Sequence, residues 1–110
     1  MTVLNKLASA LGRNDEEPNV ALAETIAETG DDDAVRELAE RLAAADEGRG
    51  KGTDKAVRSD CIKVLYEVGE RQPELIADYA PIFLELLRNE NNRLVWGAMT
   101  ALHAIASVRP

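Results

Sequence analysis

The sequence predicts an all-α protein of about three helical hairpins stacked as an α-solenoid. Three observations carry this. An amphipathic segment, Asp54 to Gly69 (D-K-A-V-R-S-D-C-I-K-V-L-Y-E-V-G), recurs 37 residues later as Asn91 to Ala106 and, more faintly, 39 residues earlier as Asp15 to Gly30. Ala98, Ala101, Leu102 and Ile105 stand where Cys61, Val64, Leu65 and Val68 stand, and Leu22, Ile26 and Gly30 match Cys61, Leu65 and Gly69. Helical units recurring at this interval characterise stacked hairpins. Second, hydrophobic residues make up 45% of the chain but aromatics only 4%, so the core must come from Ala, Leu, Val and Ile, which lets helices approach closely. Third, β-branched residues are scattered rather than alternating, so no strand is expected.

Each element has a local reason. Thr2 can cap a short helix from Val3 to Leu11, with Val3, Leu4, Leu7, Ala8 and Leu11 on one face and Gly12 as its stop. Arg13 to Glu17 reads as a turn, and Pro18 suits the first turn of a helix that runs to about Thr29. That helix buries Leu22, Ala23, Ile26 and Ala27, with Gly30 as its C-cap. Asp31, Asp32 and Asp33 precede a periodic segment, Ala34 to Ala45, whose inner face is Val35, Leu38, Ala39, Leu42 and Ala45. Three adjacent aspartates could ligate a metal, but at a helix start they cap free N–H groups and complement the dipole.

Asp46 to Thr53 (D-E-G-R-G-K-G-T) reads as a mobile connection and lacks the G-x-x-x-x-G-K-[ST] spacing of a phosphate loop. Arg49 and Lys51 make it a weak candidate for an anion contact. Asp54 is expected to cap the central helix and Gly69 to end it. Pro73 opens P-E-L-I-A-D-Y, Pro81 interrupts near Tyr79-Ala80, and P-I-F-L-E-L-L-R follows. Asn91 or Asn92 caps a last helix that runs to about Ser107.

The segment D-x-x-V-R-x-x-C-x-x-V-L-x-x-V-G, carried by Asp54, Val57, Arg58, Cys61, Val64, Leu65, Val68 and Gly69, resembles the second-helix pattern of HEAT/armadillo-type repeats. P-E-L-I ending in L-E-L-L resembles a first helix of such a repeat. The resemblance is good over residues 54–107, moderate over 31–53 and weak over 1–30. It implies one domain, 1–110, folded as a right-handed α-α superhelix with hairpins at about 2–30, 32–70 and 73–108. The pattern departs in places: Val95 and Trp96 stand where Arg58 and Ser59 stand, Pro18 and Asn19 replace Val-Arg, and a second Asp-x-x-Val-Arg falls at Asp32, Val35 and Arg36. Pro110 falls where Pro73 falls, so Ala98, Ala101 and Ala106 are expected near an open end that could pair with a second copy.

The net charge of −7 disfavours a general nucleic-acid or anionic-membrane surface, which needs clustered Lys and Arg. The one cysteine, Cys61, cannot form an internal disulfide or a Cys-based zinc site and reads as a small buried hydrophobe. Asn5 and Lys6 interrupt the apolar start, and no run approaches 18 apolar residues, so neither a signal peptide nor a membrane span is expected and a cytoplasmic location is.

The resemblance implies that second helices line an inner, partner-binding face. Opposite the core the central helix carries Ser59, Lys63, Tyr66 and Glu70, and the 37-residue shift maps these onto Trp96, Thr100, His103 and Ser107, with Tyr66 beside His103 and Ser59 beside Trp96. Aromatic and long polar residues on such a stripe suit protein binding, although Trp96 and Tyr66 could equally fill gaps between hairpins. Arg58 reads as a structural link between units. His103, the single histidine, lacks an orienting carboxylate and metal-ligand spacing. A non-catalytic protein-binding scaffold without cofactor is the leading expectation. One alternative is a nucleic-acid-associated protein using a basic strip of Arg49, Lys51, Lys55, Arg58 and Lys63. Another is a HEAT-like lyase-type enzyme with a pocket of Tyr66, Trp96 and His103 beside a buried acid.

Overall fold

A computed structural model of the protein describes residues 6–8, 11–12, 16–43 and 51–108, with the side chains of 51–55 excepted. These residues form five α-helices: α1 (Glu17–Thr29), α2 (Asp32–Ala43), α3 (Lys51–Arg71), α4 (Ala80–Leu86) and α5 (Asn92–Ala106). Two 3₁₀ turns, Pro73–Leu75 and Ala77–Tyr79, lead into α4. No strand occurs among the described residues.

Most ends form where local chemistry puts them. Pro18 lies in the first turn of α1, and Gly30 closes the helix in the left-handed region, φ 64°, with its N–H donated to Ile26 O. Asp31 Oδ1 accepts the Ala34 N–H at 3.1 Å and so caps α2, while Asp33 pairs with Arg36 at 2.7 Å. Asn91 Oδ1 accepts the Arg93 N–H at 2.9 Å and caps α5. The break before Pro81 falls at Tyr79-Ala80 as expected.

Four expectations need correction. The helix proposed for Val3 to Leu11 falls partly outside the described residues; Lys6 is 3₁₀, residues 7–8 and 11–12 are bend and turn, closed by Leu11 N–H donated to Leu7 O and Ala8 O, and Leu11 is exposed. The central helix starts at Lys51, so Lys51 to Thr53 belong to a helix and Asp54 is not its cap; Ala45 and Asp46 to Gly50 lie outside the described residues. Gly69 does not end α3, which continues to Arg71. Ala98 and Ala101 are completely buried, so the apolar residues left exposed on the last hairpin are instead Leu84, Leu87, Trp96 and Met99, with Ala106 beside them. Ala98 and Ala101 are buried because their phase on α5 is that of Leu94 and Ile105, which face the core.

Helix α3 is the hub. It packs against α1, α2 and α5, and α4 packs on α5. Cys61, Val64, Leu65 and Val68 are wholly buried and meet Leu22, Ala23 and Ile26 of α1, Leu38 and Leu42 of α2, and Ala98 and Ala101 of α5 in one core. Arg58 Nε donates to Leu42 O at 3.2 Å, which ties α3 to the last turn of α2.

Two glycines set the spacing of α3 and α5. A Cβ on Gly97 would stand 2.6 Å from Ile62 Cγ1, and one on Gly69 would stand 2.3 Å from Ile76 Cδ1 and 3.5 Å from Ala104 Cβ. Gly97 therefore faces Ile62 and Gly69 faces Ala104. Both helices advance seven residues between these contacts, so they run in the same direction with Ile62 alongside Gly97.

Asn19 is a polar residue with no accessible surface, in phase with Leu22 and Ile26. Its Oδ1 accepts the Ala8 N–H at 3.0 Å, and its Nδ2 donates to Glu16 Oε1 and to Asp60 Oδ1, both at 2.8 Å. One amide thus joins the segment before α1, the start of α1 and the middle of α3, with both N–H donors used. Arg93 at the start of α5 reaches Glu16 Oε2 at 3.1 Å and extends the cluster to a third helix.

Replacing Asn19 with Ala leaves the buried Ala8 N–H without its acceptor and removes one hydrogen bond from each of Glu16 and Asp60, so urea denaturation should show a loss of about 1–3 kcal/mol. Asn19→Asp should be worse at neutral pH than at acid pH. Glu16 and Asp60 raise the pKa of the introduced carboxyl, so the folded state is favoured while it is protonated and disfavoured as pH rises.

Both glycines should resist substitution in a thermal melt. Gly97→Ala forces the branched, stiff Ile62 to move and should cost about 1–3 kcal/mol. Gly69→Ala presses on the fully buried Ile76 and should likewise cost about 1–3 kcal/mol, even against the roughly 1 kcal/mol gained in helix propensity.

Candidate functional site

The outer surface of α1, α3 and α5 carries a continuous polar and aromatic chain. Arg71 reaches Glu24 of α1 at 3.8 Å and Glu67 at 2.8 Å, and Lys63 reaches Glu67 from the other side at 2.8 Å. Lys63 Nζ lies 5.0 Å from the Tyr66 ring centroid. The Tyr66 ring meets Trp96 of α5 edge-on, with centroids 5.8 Å apart and planes at 81°. Side chains at i and i+4 lie one above the other on a helix, which is why 63, 67 and 71 form a ladder.

Electrostatics within the ladder favour both charged forms. Burial acts to raise the Glu67 pKa, but hydrogen bonds from Lys63 and Arg71 outweigh it and the net shift is downward. Burial acts to lower the Lys63 pKa, and the Glu67 and Tyr66 contacts reverse it, so the ammonium is held above its ordinary range. An acid kept ionised in this way is not poised to donate a proton at neutral pH. Cys61 is the opposite case: burial pushes its thiol up to about 12, with smaller effects from Arg41, Asp60, Glu37 and Arg58. It supplies no thiolate at neutral pH.

The residues expected to form the stripe are placed unevenly. Trp96 is 62% exposed, Glu70, His103 and Ser107 are also exposed, and Lys63, Tyr66 and Thr100 are half-buried. The Thr100 hydroxyl donates to Trp96 O at 3.0 Å and that of Ser107 to Ala104 O at 2.6 Å, so both serve their own helix. Ser59 is only 7% exposed and does not belong to an open stripe. It lies next to Asp60 and Cys61 on the side that packs on neighbouring helices.

The expected pairings also shift. The Tyr66 ring meets that of Trp96, and Ser59, expected beside Trp96, is buried while Trp96 is exposed. Equivalent repeat positions lie 37 residues apart, whereas residues side by side lie 35 apart (Ile62 with Gly97), a slip of about 3 Å along the axes. Of the basic strip only two members have described side chains. Arg58 turns to the α2 carboxyl terminus and Lys63 to Glu67, while Arg49 and the side chains of Lys51 and Lys55 lie outside the described residues.

No family profile, curated protein or solved structure matches the chain. Its own geometry is therefore what speaks for a function.

Glu67, Arg71 and Glu24 are absent from the sequence-derived site, although the spacing of Lys63, Glu67 and Arg71 at four-residue steps was a readable signal. Beside Arg71 a shallow depression of about 290 Å³ is lined by Glu24, Ala27, Glu28 and Gln72 as well, so carboxylates dominate that end of the face. Among the described residues no cluster of three His, Cys, Asp or Glu could hold a metal, and no helix is long and apolar enough to cross a membrane.

Since the folded pKa of Glu67 is lowered, its stabilising contribution is present above its ordinary value of 4.5 and is lost as pH falls through the folded value. Glu67→Gln should therefore cost about 1 kcal/mol at pH 7, a size typical of ion pairs near a surface, and the gap to the parent protein should close in acid. Urea titrations of both proteins across this range make the comparison.

Proposed function

We propose that the protein is a non-catalytic binding module, a short array of helical hairpins that holds a segment of another protein across α1, α3 and α5. The observation that carries this reading is Trp96. It is the most exposed of the large apolar residues among those described, yet its position is set by the edge contact with Tyr66, which is itself braced by Lys63 and the ion-pair ladder. An aromatic group held in place but left open to water loses little conformational freedom on binding, which is the condition for an energetic hot spot. The common direction of α1, α3 and α5 supports the hairpin-array reading. Asn19 meets Asp60 while Glu24, further along α1, meets Arg71 further along α3, as Gly97 and Ala104 follow Ile62 and Gly69.

Charge narrows the partner. Glu24, Glu28, Glu67 and Glu70 outnumber Lys63 and Arg71 on this face, and the whole chain carries −7. A segment with an apolar residue for Trp96 and Lys or Arg for the Glu24 and Glu28 end fits best, with electrostatics accelerating the encounter.

Trp96 is the single tryptophan, so its fluorescence reports this surface directly. Peptides selected by display on the immobilised protein should combine basic residues with one large apolar residue. Their binding should shift Trp96 emission to the blue, and Trp96→Ala should weaken them about thirtyfold or more, the size of a hot-spot loss near 2 kcal/mol, while Ser107→Ala leaves them unchanged. Selected peptides that are acidic, or that bind Trp96→Ala equally well, would overturn the reading. Light scattering on the same samples separates peptide binding from pairing of two copies.

A further inference from the structure

A second concave site lies between the end of α2 and α4, with Arg58 of α3 in its wall. It encloses about 500 Å³, a volume within the range of small-molecule pockets. Leu42, Ile82 and Leu86 supply apolar wall, and Arg58, Arg88 and Glu85 supply charge. Two positive groups and one negative group give it a net positive lining, on a chain whose total is −7.

The two arginines are not spent on ion pairs among the described residues. Arg58 is anchored by its Nε at Leu42 O, which fixes the guanidinium at the cavity wall and offsets the partial negative charge of the α2 carboxyl terminus. Arg88 stands exposed at the rim, just past the end of α4. Glu85 lies three residues before Arg88 without pairing to it, and it disfavours any anion seated deep along α4.

We infer that this cavity binds a small carboxylate on an apolar body, with the carboxylate between Arg58 and Arg88 and the apolar part against Leu42, Ile82 and Leu86. A guanidinium presents a planar fork that matches a carboxylate, and one already anchored loses little freedom when it does so. A cation would meet two arginines, and a neutral alcohol of the same length would leave the charge interaction unused. The site is separate from the Trp96 surface, so it stands or falls independently of the partner proposed there.

Octanoate is a suitable probe, with 1-octanol and octylamine as the neutral and cationic controls. Calorimetric titration of the intact protein should show saturable binding of octanoate at one site, with both controls at least tenfold weaker. Arg88→Gln should weaken octanoate about tenfold, and Trp96→Ala should not change it. Arg88 is chosen because it is exposed and makes no ion pair among the described residues, whereas Arg58→Gln also removes the contact to the end of α2. Amide resonances of Leu42, Ile82, Leu86 and Asn89 should move on titration in the unaltered protein. Absence of saturable binding, equal binding of 1-octanol, resonances moving elsewhere, or an Arg88→Gln variant that binds as before would each overturn the assignment.

Discussion

The close parallel approach of α3 and α5 is the constraint on which the other features depend. Gly97 lets Ile62 sit directly against the α5 backbone, and Gly69 lets Ile76 and Ala104 close over α3. Dispersion and apolar burial grow steeply as axes approach, so two residues without side chains bring a whole line of Ala, Val and Leu into contact. With aromatics at 4% of the chain, few bulky groups exist to bridge a wider gap; Phe83 is one that is fully buried. The same approach places Tyr66 within reach of Trp96 and so creates the aromatic end of the candidate surface.

Polar contacts then hold the helices in register rather than simply attracting them. The Asn19 amide ties α1 and the segment before it to Asp60, the ladder of Lys63, Glu67 and Arg71 ties α3 to Glu24, and Arg58 ties α3 to α2. The buried amide carries the most energetic consequence, because each of its groups would be left without water if a partner were lost. The ladder is nearer solvent and contributes less per contact, yet it keeps Glu67 ionised and Lys63 charged beneath Tyr66. These ties point side chains away from α3 on two sides, which leaves the Trp96 face and the Arg58–Arg88 cavity as separate surfaces on one small body.

Much of the core was readable in advance. The period placed Cys61, Val64, Leu65 and Val68 in the interior, and Leu22, Ile26, Val35, Leu38 and Leu42 with them, and each is buried. Capping chemistry located the ends at Gly30, within Asp31, Asp32 and Asp33, and at Asn91 or Asn92, and the structure selects Asp31 and Asn91. Gly69 was misread because glycine both ends helices and admits neighbours, and only the presence of Ile76 decides between the two. Ser59 was assigned to the open stripe from the wheel of one helix, but α3 is covered by three others, which widens its buried arc beyond a single stripe.

The sequence by itself determined that the chain is all-helical, where most helices end, and which apolar residues face inward, because these follow from dihedral preferences and a 3.6-residue period that act within a few residues. The tertiary structure alone decided which helices are neighbours and at what height they meet. Side-by-side residues of α3 and α5 lie two positions off the register of the repeat, and the Trp96 ring meets that of Tyr66. It also decided that an asparagine in core phase finds two carboxylates and a backbone N–H, and that Arg58 and Arg88, thirty residues apart in the chain, share one cavity. Repetition in a sequence marks equivalent positions, whereas contact depends on how side chains of unequal size settle against each other, and that is a property of the packed whole.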